Sequence, residues 1–198
     1  MSMKIQAAVM PTDNFPAKWQ AVIFRNYGLL TNERIGAVLG CDAETVKREY
    51  PDAEALFGTS TAGIAHAAIA GHILGMPMGY VRGSSKDHGR NNKIEGKLEK
   101  GTKVVVIEDL ISTGGSCIDV VDALREAGAE VLGIVSIYTY GMKNGLERLS
   151  EAKVKNVSLT DFDTVIEVAA KTGYIEESDV QRLKAFRDNP SDESWIKK

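Results

Sequence analysis

The chain has 198 residues, of which 43% are hydrophobic and 26% are charged, as in an ordinary soluble globular domain. Its net charge of −3 argues against a general binder of nucleic acids or anionic membranes, so an anionic ligand would need a local basic patch. The two cysteines, Cys41 and Cys117, lack metal-ligand and CxxC spacing and are expected to be reduced thiols of a cytoplasmic protein.

Neither a signal peptide nor a membrane span is expected. The first fifteen residues lack the apolar core that a signal peptide needs. The most apolar run, Ala62–Tyr80, is broken by histidines, glycines and a proline, which is typical of a buried helix followed by a strand.

Strand and helix patterns alternate along the chain from residue 31 onward. The strand patterns are short apolar or β-branched runs: Ala53–Phe57, Met76–Arg82, Lys103–Ile107, Val131–Tyr138 and Asn156–Asp161. The helical patterns cover Thr31–Glu49, Gly63–Leu74, Ser116–Ala127, Leu146–Ala152, Thr164–Lys171 and Ser178–Arg187. Thr31 and Ser116 are predicted N-caps, and Gly128 a C-terminal stop. The alternation predicts an α/β fold with a mostly parallel sheet flanked by helices, in one domain spanning residues 1–198.

The most informative segment is Val104–Ser116, VVVIEDLISTGGS. Its apolar run ends on two adjacent carboxylates, Glu108 and Asp109, and residues 112–116 then lead into a helix. Glycines and a helix N-terminus offer free N–H groups to a phosphate, whereas the carboxylates could accept hydrogen bonds from sugar hydroxyls or orient Mg²⁺-bound water. The pattern is neither a Walker loop nor GxGxxG. The alternative is a solvated strand end beside a glycine turn.

This segment closely resembles the phosphoribosyl-pyrophosphate (PRPP) loop of the type I phosphoribosyltransferases. The resemblance implies their fold, with a small N-terminal hood (residues 1–30) and a mobile catalytic loop (residues 83–101). It implies that Glu108 and Asp109 hold the ribose hydroxyls, that residues 112–116 bind the 5′-phosphate, and that Mg²⁺ is held by PRPP and water without a direct protein ligand. The implied PRPP-binding residues of this loop are Glu108, Asp109, Leu110, Ile111, Ser112, Thr113, Gly114, Gly115 and Ser116.

A second segment, Tyr80–Gly96 (YVRGSSKDHGRNNKIEG), resembles the strand and catalytic loop of orotate phosphoribosyltransferases. Arg82, Lys86 and His88 match the family residues that meet the pyrophosphate, and the family loop closes over the neighbouring subunit, which implies a homodimer with shared active sites. From Arg82 to Lys103 there are seven Lys/Arg against three Asp/Glu. Such cations would stabilise a leaving pyrophosphate. Without the PRPP loop, a solvated basic surface loop would be the alternative.

The turn Gly58–Ala67 resembles the family loop beside the pyrophosphate, with Thr59, Ser60 and Thr61 as candidate PRPP ligands. His66 and His72 on the following helix are expected to be packing residues. The C-terminal third of the chain, including SIYTYG, also resembles the orotate enzymes.

The resemblance is weaker in residues 16–30, where the family pairs Ser-Gly and Ser-Pro are absent. One hypothesis is that Phe24 stacks on the pyrimidine ring, that Arg25 pairs with its carboxylate, and that Thr113 adds a contact to orotate. The alternative is that Phe24 is a core residue and Arg25 a surface residue.

The resemblance therefore predicts transfer of the phosphoribosyl group from PRPP to orotate, with Mg²⁺, to give orotidine 5′-phosphate and pyrophosphate. Lys86 is the predicted main charge stabiliser, supported by Arg82 and His88, and Asp109 is predicted to polarise the ribose or to assist proton movement. The alternatives are an enzyme for another base and a PRPP-binding regulator without catalysis. Lys86, His88 and the acidic pair argue against the regulator, which would not need cations for a leaving group. Neither a nucleic-acid partner nor a membrane is expected.

Overall fold

The computed structural model describes residues 42–83 and 93–192. Several predicted features lie outside these residues: the Thr31 cap, the hood over residues 1–30 with Phe24 and Arg25, and the catalytic-loop residues Lys86 and His88. Across the described segments, none of the helices has the length and apolar character needed to cross a membrane.

In the described residues, six strands form one sheet with helices between them. The strands are β1 (Ala55–Thr59), β2 (Met78–Val81), β3 (Ile94–Glu95), β4 (Lys103–Ile111), β5 (Glu130–Thr139) and β6 (Asn156–Asp161). The helices are α1 (42–49), α2 (Ala62–Leu74), α3 (Gly115–Glu126), α4 (Lys143–Glu151), α5 (Phe162–Lys171) and α6 (Asp179–Asp188). The sheet order is β3-β2-β1-β4-β5-β6, and every pairing is parallel except β2 with β3. The predicted mostly parallel α/β fold is confirmed.

The central strand β4 explains why its sequence is continuously apolar. Val104 and Val106 pack into a core on the α3 side of the sheet, whereas Val105 and Ile107 pack into a second core with α1 and α2. All four are fully buried. Burial of each such side chain contributes about 1.5–3 kcal/mol, so β4 is held from both faces. Because β4 is fixed in this way, the residues that follow Ile107 have a well-defined position.

Two boundaries around this strand differ from the sequence prediction. β4 continues beyond Ile107 to Ile111, because its last residues still pair with β5, for example Glu108 with Ser136. Glu108 and Asp109 therefore lie within the strand and not after it. The prediction that Ser116 caps the next helix was wrong: α3 begins at Gly115, and its N-cap is Gly114 in the left-handed conformation (φ 74°). The predicted stop is confirmed, because Gly128 follows the helix with φ 91°.

The remaining elements agree with the predictions except at their ends. α5 begins at Phe162, before the predicted Thr164, because the Asp161 side chain accepts a hydrogen bond from the Thr164 backbone N–H at 2.8 Å and caps the helix. α4 begins at Lys143, before the predicted Leu146. The short strand β3, which no sequence pattern had indicated, pairs antiparallel with β2.

Candidate active site

Three parallel strands, β1, β4 and β5, present their carboxyl ends at one edge of the sheet. The turn after β1 and the segment from β4 to α3 (residues 112–114) therefore lie beside each other. Ligands of open parallel sheets bind at this edge. The register pairs Gly58 with Ile107, so the residues that follow them, Thr59 and Glu108, lie side by side at the start of the site.

Glu108 is a buried carboxyl group with 5% of its surface exposed. One of its oxygens, Oε1, accepts a hydrogen bond from the backbone N–H of Asp109 at 2.9 Å. Burial is the largest cause of a rise in the pKa of Glu108 from 4.5 to about 7, and hydrogen bonding with the neighbouring Asp109 carboxyl adds to it. The hydrogen bond from the Asp109 backbone N–H partly offsets this rise. A carboxyl in this state can both donate and accept hydrogen bonds near neutral pH, which suits contact with hydroxyl groups.

The segment after β4 forms a cradle of backbone groups. Gly114 takes the left-handed conformation that glycine adopts without strain, and the chain turns directly into α3. No side chain caps the first turn of α3 in the described structure, so its N–H groups point towards a potential anion. Cys117, in this first turn, donates its S–H to the Gly114 carbonyl at 3.2 Å. Burial raises the pKa of the Cys117 thiol to about 12, which keeps it protonated.

Other predicted PRPP ligands of this segment differ in their exposure. Ile111 has 2% of its surface exposed and packs in the core, so only its backbone could reach a ligand. Asp109, Leu110, Ser112, Thr113 and Gly115 are half-buried, and Ser116 is exposed.

Helix α4 lies directly against the cradle. A Cβ atom on Gly145 would lie 2.5 Å from the Ser112 carbonyl oxygen, so helix and loop backbones are in contact. One Arg148 nitrogen, Nη1, donates a hydrogen bond to the Thr113 carbonyl at 3.4 Å. The sequence predictions did not include Arg148. It lies far from the motif along the chain, and no local pattern indicates that α4 packs on this loop.

The hydroxyl groups of the turn after β1 are partly engaged within the protein. Thr59 is buried and donates to the Ile107 carbonyl at 3.3 Å, while the Ser60 hydroxyl donates to the Val81 carbonyl at 2.5 Å. Thr61 is exposed, and the peptide bond that joins it to Ser60 is cis. The turn therefore offers an exposed hydroxyl and its backbone groups at the site edge.

The two histidines of α2 differ from each other. His66 is mostly buried, and its Nδ1 lies 3.5 Å from a carboxylate oxygen of Asp42. Burial raises the pKa of this Asp42 carboxyl. This agrees with the predicted packing role. His72 is exposed in the last turn of the helix, so the packing prediction was wrong for that residue.

Arg82 lies just after β2, at the same edge of the sheet. Its backbone N–H donates to the Lys93 carbonyl at 2.7 Å, and its guanidinium lies 3.3 Å from the Glu95 carboxylate. Both side chains are exposed. The structure thus brings Arg82, the Thr59–Thr61 turn and the Glu108–Ser116 segment to one edge. Within residues 42–83 and 93–192, no group of three or more His, Cys, Asp or Glu side chains could hold a metal ion.

Solved structures that resemble this fold include two whose similarity is instructive. Orotate phosphoribosyltransferase from Aeropyrum pernix matches with a TM-score of 0.61 and 28% identity, covering 74% of this chain and 84% of that one. UMP synthase from Leishmania donovani matches with a TM-score of 0.66 and 24% identity, covering 79% of this chain and 33% of that one, which is a likeness of fold alone. The fold of this chain is thus similar to folds already seen in solved structures.

Comparison of the sequence agrees with the comparison of folds. The protein named orotate phosphoribosyltransferase in Bacillus cereus (strain G9842) is 54% identical over 153 residues, which cover 77% of this chain and 73% of that protein. Residues 43–174 match the model of the phosphoribosyl transferase domain, and this range contains the acidic pair, the cradle and the turn after β1. With its site assembled from that domain, the chain belongs to the phosphoribosyltransferase family.

Proposed function

We propose that the chain is an orotate phosphoribosyltransferase, which transfers the phosphoribosyl group of PRPP to orotate and releases pyrophosphate. The observation that carries the proposal is the position of the Glu108–Asp109 pair, in the C-terminal half of β4 and shortly before the cradle that opens α3. This arrangement offers acceptors for sugar hydroxyls next to donors for a phosphate. The choice of orotate is supported by relatives of that name at 54% identity over most of both chains.

In the proposed complex, PRPP lies along the edge of the sheet. Its 5′-phosphate accepts hydrogen bonds from N–H groups at the start of α3, and its ribose hydroxyls contact Glu108 and Asp109. Its pyrophosphate lies beside the Thr59–Thr61 turn. Arg82, from the end of β2, is close enough in the sheet order to serve the pyrophosphate end, together with Lys86 and His88 from the loop that follows.

Reaction requires that the C1–O bond of PRPP breaks while a ring nitrogen of orotate forms its bond to C1. Negative charge then accumulates on the departing pyrophosphate, and Lys86, Arg82 and His88 stabilise it. Asp109 polarises the ribose as C1 gains oxocarbenium character. When bound, Mg²⁺ would neutralise part of the charge on the departing pyrophosphate. The oxygen ligands that Mg²⁺ prefers are available from Glu108 and Asp109, through bound water, as well as from PRPP itself.

The base would be held by residues of the N-terminal segment, together with one residue of the PRPP loop. Phe24 is proposed to stack on the pyrimidine ring and Arg25 to pair with its carboxylate, with Thr113 adding a polar contact. Thr113 is half-buried at the cradle, and Arg148 holds its carbonyl. Two further proposals remain. The family resemblance supports a homodimer whose catalytic loops, within residues 83–101, close over each other's sites, and the cysteine usage supports a cytoplasmic setting.

The function is tested by following pyrophosphate release from PRPP with a panel of bases that includes orotate, uracil and hypoxanthine. We expect turnover with orotate and Mg²⁺, and little with the other bases. Turnover with uracil or hypoxanthine but not with orotate would establish an enzyme for another base. Binding of PRPP without turnover of any base would favour the regulator.

A further inference from the structure

The PRPP-loop segment Glu108–Ser116 carries net negative charge, although it is proposed to bind a phosphate. It contains two carboxylates and no Lys or Arg. Backbone N–H groups and a helix N-terminus supply only partial positive charge. A phosphorylated sugar bound here would therefore place its 5′-phosphate near two acidic side chains without a cation from the loop itself.

Helix α4 brings a cation to this loop. The close contact of Gly145 with the Ser112 carbonyl fixes how α4 lies on the loop, and Arg148 follows on the same face of the helix. Two nitrogens of the Arg148 guanidinium lie 3.5 and 3.6 Å from the position that a Cβ atom of Gly115 would occupy. Gly115 is the first residue of α3, so the guanidinium lies beside the N–H groups that open this helix.

The donors of Arg148 are mostly unused in this arrangement. Its hydrogen bond to the Thr113 carbonyl is long, at 3.4 Å, and the side chain is exposed. Among the carboxylates of the described segments, none forms an ion pair with it, whereas Arg82, Arg182 and Arg187 each have such a partner. A guanidinium has five N–H donors in a planar fork that matches a phosphate, so several donors remain for a ligand.

We propose that Arg148 binds the 5′-phosphate of the phosphoribosyl substrate, together with the N–H groups at the start of α3; this rests on the proposed function. Arginine–phosphate pairs are charge-assisted and often bidentate, which adds both affinity and orientation. Arg148 would thus supply the positive charge that the loop lacks. Its role is binding of the ribose 5-phosphate end, which does not react.

The test uses the fact that PRPP and orotidine 5′-phosphate share the 5′-phosphate, whereas orotate and pyrophosphate lack it. For Arg148→Gln we expect the KM of both PRPP (forward reaction) and orotidine 5′-phosphate (reverse reaction) to rise about tenfold, the typical loss of a hydrogen bond to a charged group. The KM values of orotate and pyrophosphate should stay within about twofold, and Arg148→Lys should recover part of the loss. Lys143→Gln, which removes an exposed cation of α4 paired with Glu147, is the matched control and should resemble the parent.

Calorimetric binding of ribose 5-phosphate separates this inference from the proposed function, because that probe needs no base. If the parent used a base other than orotate, the proposed function would fail, but Arg148→Gln should still bind ribose 5-phosphate about tenfold more weakly. Equal affinity in variant and parent would overturn the role of Arg148. A similar rise in the KM of all four substrates would also overturn it, since that pattern indicates a general distortion of the loop.

Discussion

The buried carboxyl of Glu108 should make the stability of the ligand-free protein depend on pH in a way that a single substitution removes. Burial and the Asp109 carboxyl raise the pKa of Glu108 from 4.5 to about 7 in the folded state. The folded protein therefore holds a proton between these two pH values that the unfolded chain has released. The contribution of Glu108 to stability falls as the pH rises from about 4.5 to about 7 and stays low above that range.

The size of the effect follows from the difference between the two pKa values. A shift from 4.5 to about 7 corresponds to about 3 kcal/mol of unfolding free energy. Glu108→Gln removes the ionisation while keeping an oxygen that can accept the hydrogen bond from the Asp109 N–H, and its amide can donate to the Asp109 carboxylate. We therefore expect the variant to gain stability over the parent progressively from pH 5 to pH 8, approaching about 3 kcal/mol at the upper end.

The measurement is urea unfolding at pH 5, 6, 7 and 8, in phosphate-free buffers and at one protein concentration, because ligands and association shift apparent stability. All titrating groups other than the Glu108–Asp109 pair are common to parent and variant, so the difference between their unfolding free energies reports the ionisation of this pair. Glu151→Gln, which removes an exposed carboxyl of α4, is the control. A difference for Glu108→Gln that stays constant from pH 5 to pH 8 would refute the argument from burial.

Three further outcomes are expected. Lys86→Ala should lower kcat far more than it weakens PRPP binding. The control is Lys97→Ala, which removes an exposed cation of the same segment and should keep the parental kcat. Equal kcat in Lys86→Ala and parent would exclude the leaving-group role of Lys86. Gly145→Ala should raise the KM of PRPP and lower the unfolding free energy by about 1–3 kcal/mol, because its new methyl group would lie 2.5 Å from the Ser112 carbonyl oxygen. Unchanged kinetics and stability would show that α4 can move away from the loop. Asp161→Ala should lower the unfolding free energy by about 1 kcal/mol through loss of the α5 cap, measured by urea unfolding, and an unchanged value would contradict the capping role.

The sequence predicted the sheet and the identity of the loop because both depend on local patterns. The β-branched run of β4 and the alanine-rich α2 have compositions typical of their elements, and both elements formed where expected. The last residue of β4 and the first residue of α3 were less predictable. Ser116 is a good cap by residue type, but Gly114 takes the left-handed conformation and starts the helix two residues earlier. A cap made by glycine leaves the N–H groups without a side-chain partner, which a capping rule based on side chains does not anticipate.

Features that depend on tertiary contacts had no sequence signal. Glu108 becomes buried because β1 lies beside β4 and α3 covers the strand, so its raised pKa is a property of three elements together. The contact of Arg148 with the loop depends on the packing of Gly145 against the Ser112 carbonyl, between residues far apart in the chain. Neither property could be deduced from residues near the motif.

The order of charged side chains along the carboxyl ends of the strands provides the strongest physical link between this fold and PRPP, the proposed phosphoribosyl donor. Arg82 follows β2, Glu108 and Asp109 lie in the C-terminal half of β4, and Arg148 lies on the helix after β5. The two cations therefore lie on opposite sides of the acids in the order β2-β1-β4-β5. PRPP has the complementary sequence of groups: an anionic pyrophosphate on C1, neutral hydroxyls on the ribose, and an anionic phosphate on C5. A substitution at one cationic end should therefore weaken interactions with that end of PRPP alone. The motif supplies the middle of this arrangement, and the fold brings the cations for both ends from other parts of the chain.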